Sequence, residues 1–150
     1  MRTPPSIETP GDVIRVLFVT GIEEDQSALD RMLPPPKWIV NKSLTLASGL
    51  AQLRKRVPPP LVLCDRDLFP GSWKEMLHGI KRMSNPPLLV VTSRLADEQL
   101  WAEALNLGAY DVLAKPFEAT EVNRVLSLAW LHWRQVHGGD QPLSAFANAS

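Results

Sequence analysis

The stretch that decides the fold is LNLGAYDVLAKPF, residues 105–117. An apolar helical run closes there on Gly108, the residue type that favours the left-handed position just past a helix end. Residues 110–113 (YDVL) then read as a short strand. One small residue later comes Lys115-Pro116, and a new helix is expected from Glu118 to about residue 136, with Val122, Leu126, Ala129 and Trp133 along one stripe.

The same alternation runs back to the start of the chain. Residues 13–20 (VIRVLFVT) form an apolar, β-branched run expected as a buried strand. Residues 23–33 read as a helix opened by Glu23, Glu24 and Asp25, which suit the positive end of its dipole, and stopped by Pro34, Pro35 and Pro36. A weaker strand follows at 38–43. A helix is expected over 44–57, with Leu46, Leu50 and Leu53 at helical spacing, up to Pro58, Pro59 and Pro60. Residues 61–64 (LVLC) are a fully apolar strand that runs into Asp65. A helix over 72–83 has Ser72 as its N-cap. A strand at 88–92 and a helix at 96–107 complete the series. Strand then helix, five times, predicts a five-stranded parallel sheet covered on both faces. Right-handed crossovers make it a doubly wound, flavodoxin-like α/β domain over residues 13–136. Residues 1–12 and 137–150, rich in Pro and Gly or in Gly, Ala and Ser, are expected to be flexible ends.

Composition narrows the function classes. The 16 basic and 16 acidic residues cancel, which argues against a nucleic-acid partner held by phosphate neutralisation. Arg54, Lys55 and Arg56 read as a solvated helix end. The single cysteine, Cys64, lies in an apolar run and reads as a buried, inert thiol, with no disulfide or Cys-based zinc site within one chain. No apolar stretch is long enough to span a membrane and the N-terminus has no signal core, so the expected setting is the cytoplasm. His78, His132 and His137 lack metal-ligand spacing. Of the five tryptophans, Trp38, Trp73 and Trp101 are expected to be partly core. The proline triplets read as rigid connectors.

In doubly wound folds the chemistry sits beyond the carboxyl ends of the strands. There the sequence places Asp65 after strand three, Thr92 at the end of strand four and Lys115 after strand five. A carboxylate can take up a phosphoryl group as an acyl phosphate, a lysine can hold its oxygens, and a hydroxyl can report its arrival.

From Val13 to Trp133 the chain resembles the receiver domain of bacterial two-component response regulators (CheY-like). The resemblance is carried by LVLCDRDLFPG at 61–71, VVTS at 90–93 and LNLGAYDVLAKPF at 105–117. It implies Asp65 as phospho-acceptor, Thr92 as switch hydroxyl followed by the small Ser93, Lys115 as phosphoryl contact, and Pro116 after a cis peptide bond. It implies Mg2+ held by Asp65 and the backbone carbonyl of Asp67. It further implies a histidine kinase or phosphotransfer protein as donor, a downstream protein target, and a homodimer or target face on the fourth helix, fifth strand and fifth helix, where Trp101 and Trp130 would lie.

Three departures qualify the resemblance. The adjacent acids that end the family's first strand are here Thr20 and Gly21, so the metal site is expected to be weak or absent; Glu23, Glu24 or Asp25 reaching in is the alternative to their opening the helix. The proline four residues after the acceptor is displaced, with Phe69 there and Pro70 next. Val112 stands where the family has its rotating aromatic. Two readings stay open at this stage: a phosphoryl-accepting switch, and a pseudo-receiver that binds partners without phosphorylation and keeps Asp65 and Lys115 as a static ion pair. A flavodoxin-like enzyme is disfavoured, because no Gly-rich phosphate loop follows the first strand and no second catalytic pair is visible.

Overall fold

The computed structural model describes residues 13–138; of the flexible ends expected at 1–12 and 137–150, all but residues 137 and 138 lie outside the described residues. Five strands alternate with five helices. They are β1 (Ile14–Val19), α1 (Glu23–Met32), β2 (Trp38–Ser43), α2 (Leu46–Leu53), β3 (Leu61–Asp65), α3 (Trp73–Lys81), β4 (Leu88–Ser93), α4 (Glu98–Leu107), β5 (Asp111–Ala114) and α5 (Ala119–Trp133). The sheet is wholly parallel, in the order β2-β1-β3-β4-β5. This is the expected doubly wound, flavodoxin-like architecture.

Alternation along the buried strands sorts their side chains into two cores. Leu17, Val19, Val62, Cys64, Leu89 and Val91 face one way, with Met76 and Ile80 of α3 and Leu100 and Ala104 of α4. Phe18, Leu61, Leu63, Val90 and Leu113 face the other, with Leu29 of α1 and Val122, Leu126 and Ala129 of α5. The stripe foreseen on α5 is thus the face that it buries, with Trp133 only half-buried.

Three local readings are corrected. α2 is shorter than the expected 44–57. Thr45 caps it by accepting from the Ser48 amide at 3.1 Å, and it closes at Arg54, whose amide bonds back to the Ala51 carbonyl at 3.1 Å in a tightened last turn. α5 ends at Trp133 and passes into a π-turn over Arg134–Gly138. Trp38 and Trp73 are buried, but Trp101 is 49% exposed. α4 spends its inward positions on Leu100 and Ala104, a one-turn pair, and the next residue round the helix turns outward.

One close approach depends on a missing side chain. Gly49 lets α2 lie on β1: a Cβ there would come 2.7 Å from a Val19 methyl and 3.0 Å from Cε of Met76. Val19 is β-branched and stiff in its strand. Gly49→Ala is therefore expected to destabilise the domain by about 1–3 kcal/mol, the range for overpacking a filled core. A urea titration with a lowered midpoint and an unchanged slope would show it.

Candidate functional site at the carboxyl edge of the sheet

Parallel register carries the strand ends to one edge. Asp65 of β3 pairs in register with Thr92 of β4, and Ser93 with Ala114 of β5. Two backbone bonds extend the ladder past the strands, Arg66 N–H to the Thr92 carbonyl at 2.8 Å and Lys115 N–H to the Ser93 carbonyl at 3.0 Å. The Lys115–Pro116 bond is cis.

Asp65, Thr92 and Lys115, singled out in the sequence, meet here. Lys115 Nζ donates to Asp65 Oδ1 at 3.1 Å, and Thr92 Oγ1 donates to the same oxygen at 3.4 Å. All three residues are buried, Asp65 at 2% exposure. A buried carboxylate is costly unless it is paired and hydrogen-bonded, and this one is both.

Sequence reasoning missed Thr20 as a contributor and preferred the helix-dipole reading for Asp25. Thr20, in the place of one missing acid, donates from Oγ1 to Asp65 Oδ2 at 3.4 Å while accepting from the Ile22 amide at 3.2 Å. Asp25, read as a helix-dipole residue, reaches in instead: its Oδ2 accepts from Lys115 Nζ at 2.7 Å. Glu23 and Glu24 stay exposed, as that reading expected. Asp25 stands four residues before the buried Leu29, so it shares a face of α1 with it; that spacing was the available signal. Gln26 sets the helix's rotation. It is buried, and its Nε2 donates to the carbonyls of Thr20 at 3.2 Å and Ser43 at 3.5 Å.

The Asp67 side chain is exposed, and no three or more His, Cys, Asp or Glu residues converge as a metal group among the described residues. The acceptor-side loop bends through a cis Phe69–Pro70 bond and Gly71 at φ 104°, leaving Phe69 at the surface. Val112 is buried, and Tyr110 packs against His132 rather than taking its place.

No protein-family model matches the sequence. Among curated proteins, the chain is similar to the transcriptional regulatory protein DpiA of Escherichia coli K12, 31% identical over 87 residues, 56% of this chain and 38% of DpiA. It is also similar to the KDP operon transcriptional regulatory protein KdpE of the same organism, 29% identical over 133 residues, 86% of this chain and 58% of KdpE. The chain thus spans well under two thirds of either regulator. Similar solved structures include a response regulator receiver domain from Clostridium thermocellum, with TM-score 0.75, 16% identity and coverage of 83% and 99% of the two chains. The beryllofluoride-activated NtrC4 receiver domain dimer matches with TM-score 0.72, 23% identity and coverage of 79% and 98%. The chain thus has the doubly wound, flavodoxin-like fold of the receiver domains that it is similar to.

Next to the site, Cys64 is fully buried. Burial pushes its thiol up to about 12, and the adjoining Asp65 carboxylate adds to the shift. The unfolded chain loses this proton near the ordinary value of 9.0, so between those values the folded state holds more protons. The thiol's contribution is intact below pH 9 and is lost as pH rises toward 12. The folded protein should therefore leave Cys64 unreacted with iodoacetamide at pH 8, and a denaturant titration should expose it in step with unfolding.

Proposed function

We propose that this chain is a receiver domain that works in two-component signalling by accepting a phosphoryl group on Asp65. The observation that supports it best is the convergence on one buried carboxylate of an ammonium from β5 and hydroxyls from β4 and β1. A carboxylate oxygen of Asp65 would attack the phosphorus of a phosphohistidine on a kinase or phosphotransfer protein. The new O–P bond forms as the N–P bond breaks, leaving an acyl phosphate here and a free imidazole on the donor. Lys115 would hold the phosphoryl oxygens, and Thr92 would turn its hydroxyl toward them.

Receiver domains generally bind magnesium in an acidic pocket. Magnesium uses hard oxygen ligands and usually keeps several waters beside one or two carboxylates. Asp65 would supply one carboxylate and the Asp67 backbone carbonyl a further oxygen, while Asp25 faces the Lys115 ammonium. This set fits a weakly held, largely hydrated ion, since Thr20 and Gly21 contribute no charge. When bound, the ion would offset charge developing on the phosphoryl oxygens.

The downstream partner would meet the α4–β5–α5 face, where Trp101 and Leu105 of α4 and Leu128 and Leu131 of α5 are exposed. A homodimer through that face is the companion proposal. No described helix is long and apolar enough to cross a membrane, and a cytoplasmic setting agrees with that.

The test is beryllofluoride, a phosphoryl mimic, titrated with magnesium and followed by amide shifts at Thr92 and Lys115. Saturable, magnesium-dependent shifts are expected, and Asp65→Asn should abolish them. Their absence at millimolar magnesium would sink the acceptor role. Thr20→Asp, which restores one acid, is expected to lower the magnesium concentration needed.

A further inference from the structure

The Lys115 ammonium has two counter-ions from different elements. It lies 2.7 Å from Asp25 Oδ2 on α1 and 3.1 Å from Asp65 Oδ1 on β3. The side chains of Lys115, Asp65 and Asp25 are 3%, 2% and 13% exposed, so solvent screens the trio little. Two carboxylates and one ammonium leave one negative charge over, and no other Lys or Arg pairs with Asp65 or Asp25 among the described residues.

The arrangement is fixed from below. Gln26, the residue after Asp25, ties α1 to the carbonyls that end β1 and β2, and the Ile22 amide is tied to the Thr20 hydroxyl. These bonds set the helix so that Asp25 faces the ammonium while Glu23 and Glu24 face water. The carboxylate absent from the end of β1 has thus been replaced in charge, one helical turn further on, but placed against the lysine.

We infer that Asp25 is a positioning residue that holds Lys115 in the resting state and competes for it with any anionic group arriving on Asp65. The inference rests on Asp65 being the acceptor. A phosphoryl group brings more negative charge to a pocket that already has an excess, and its main cation is shared. Lys115 must loosen its contact with Asp25 to serve the new oxygens. Asp25 therefore sets the threshold at which the pocket takes up the group.

Asp25→Asn is nearly isosteric and keeps a hydrogen-bond acceptor while removing the charge. The experiment compares it with the wild type and Asp25→Glu, using beryllofluoride at fixed saturating magnesium, with the side-chain ammonium of Lys115 followed by NMR. Asp25→Asn is expected to move the Lys115 ammonium resonance in the unliganded protein and to tighten beryllofluoride binding at least fivefold. Asp25→Glu, which keeps the charge, should return the affinity toward that of the wild type. Affinities equal within twofold would overturn the inference. So would weaker binding that is rescued by more magnesium, which would make Asp25 a metal ligand instead. A silent wild type would sink the acceptor reading itself; the Lys115 resonance then decides the role of Asp25 alone, and an unmoved ammonium in Asp25→Asn overturns it.

Discussion

Parallel strand register is the constraint on which the site depends. Each strand enters the sheet from the same side, so each ends at the same edge, and pairing fixes how far it reaches. Asp65 opposite Thr92 and Ser93 opposite Ala114 bring a carboxylate, a hydroxyl and the start of the Lys115 turn to one level. A slip of one residue would send these side chains to the opposite face of the sheet. The register is held by fully buried strands such as β3, whose residues all lie out of solvent, and both of whose faces are matched to helices.

Given that edge, burial governs the electrostatics. Each buried charge needs a partner, and the pocket answers with neutral donors as well as ions. Thr20 and Thr92 each give a hydroxyl to Asp65, and Lys115 is shared between Asp65 and Asp25. Where the family resemblance leads one to expect acids on β1, this chain has a hydroxyl and a glycine and carries its second carboxylate on α1. The pocket is consequently less acidic and already satisfied internally. That bears on how strongly it would hold a divalent ion, while leaving the carboxylate, hydroxyl and lysine that the proposed phosphoryl chemistry needs.

The outer surface is divided as sharply as the core. α4 buries Leu100 and Ala104 and leaves Trp101 and Leu105 outside; α5 buries four residues of one stripe and exposes Leu128 and Leu131. These apolar positions stay substantially exposed, and they stand on the two helices that flank β5. The proposed partner face follows from that placement.

Much of this was legible in the residue order. Short apolar runs alternating with helical stripes, Gly108 at a helix end, Ser72 at a helix start and proline triplets between elements each act locally, so sequence alone determined the α/β alternation. It also brought Asp65, Thr92 and Lys115 to one edge, because strand polarity in a doubly wound sheet leaves no other place for them. The tertiary structure decided what local patterns cannot carry. Three acids open α1, and helix-dipole reasoning treats them alike; only the rotation set by Gln26 against two strand ends selects Asp25 and leaves Glu23 and Glu24 in water. Trp101 and Leu100 are neighbours of similar character, and only the packing of α4 on the sheet decides which is buried. In each case the sequence supplied the groups, while contacts distant in the chain, 90 residues apart for Lys115 and Asp25, decided which of them meet.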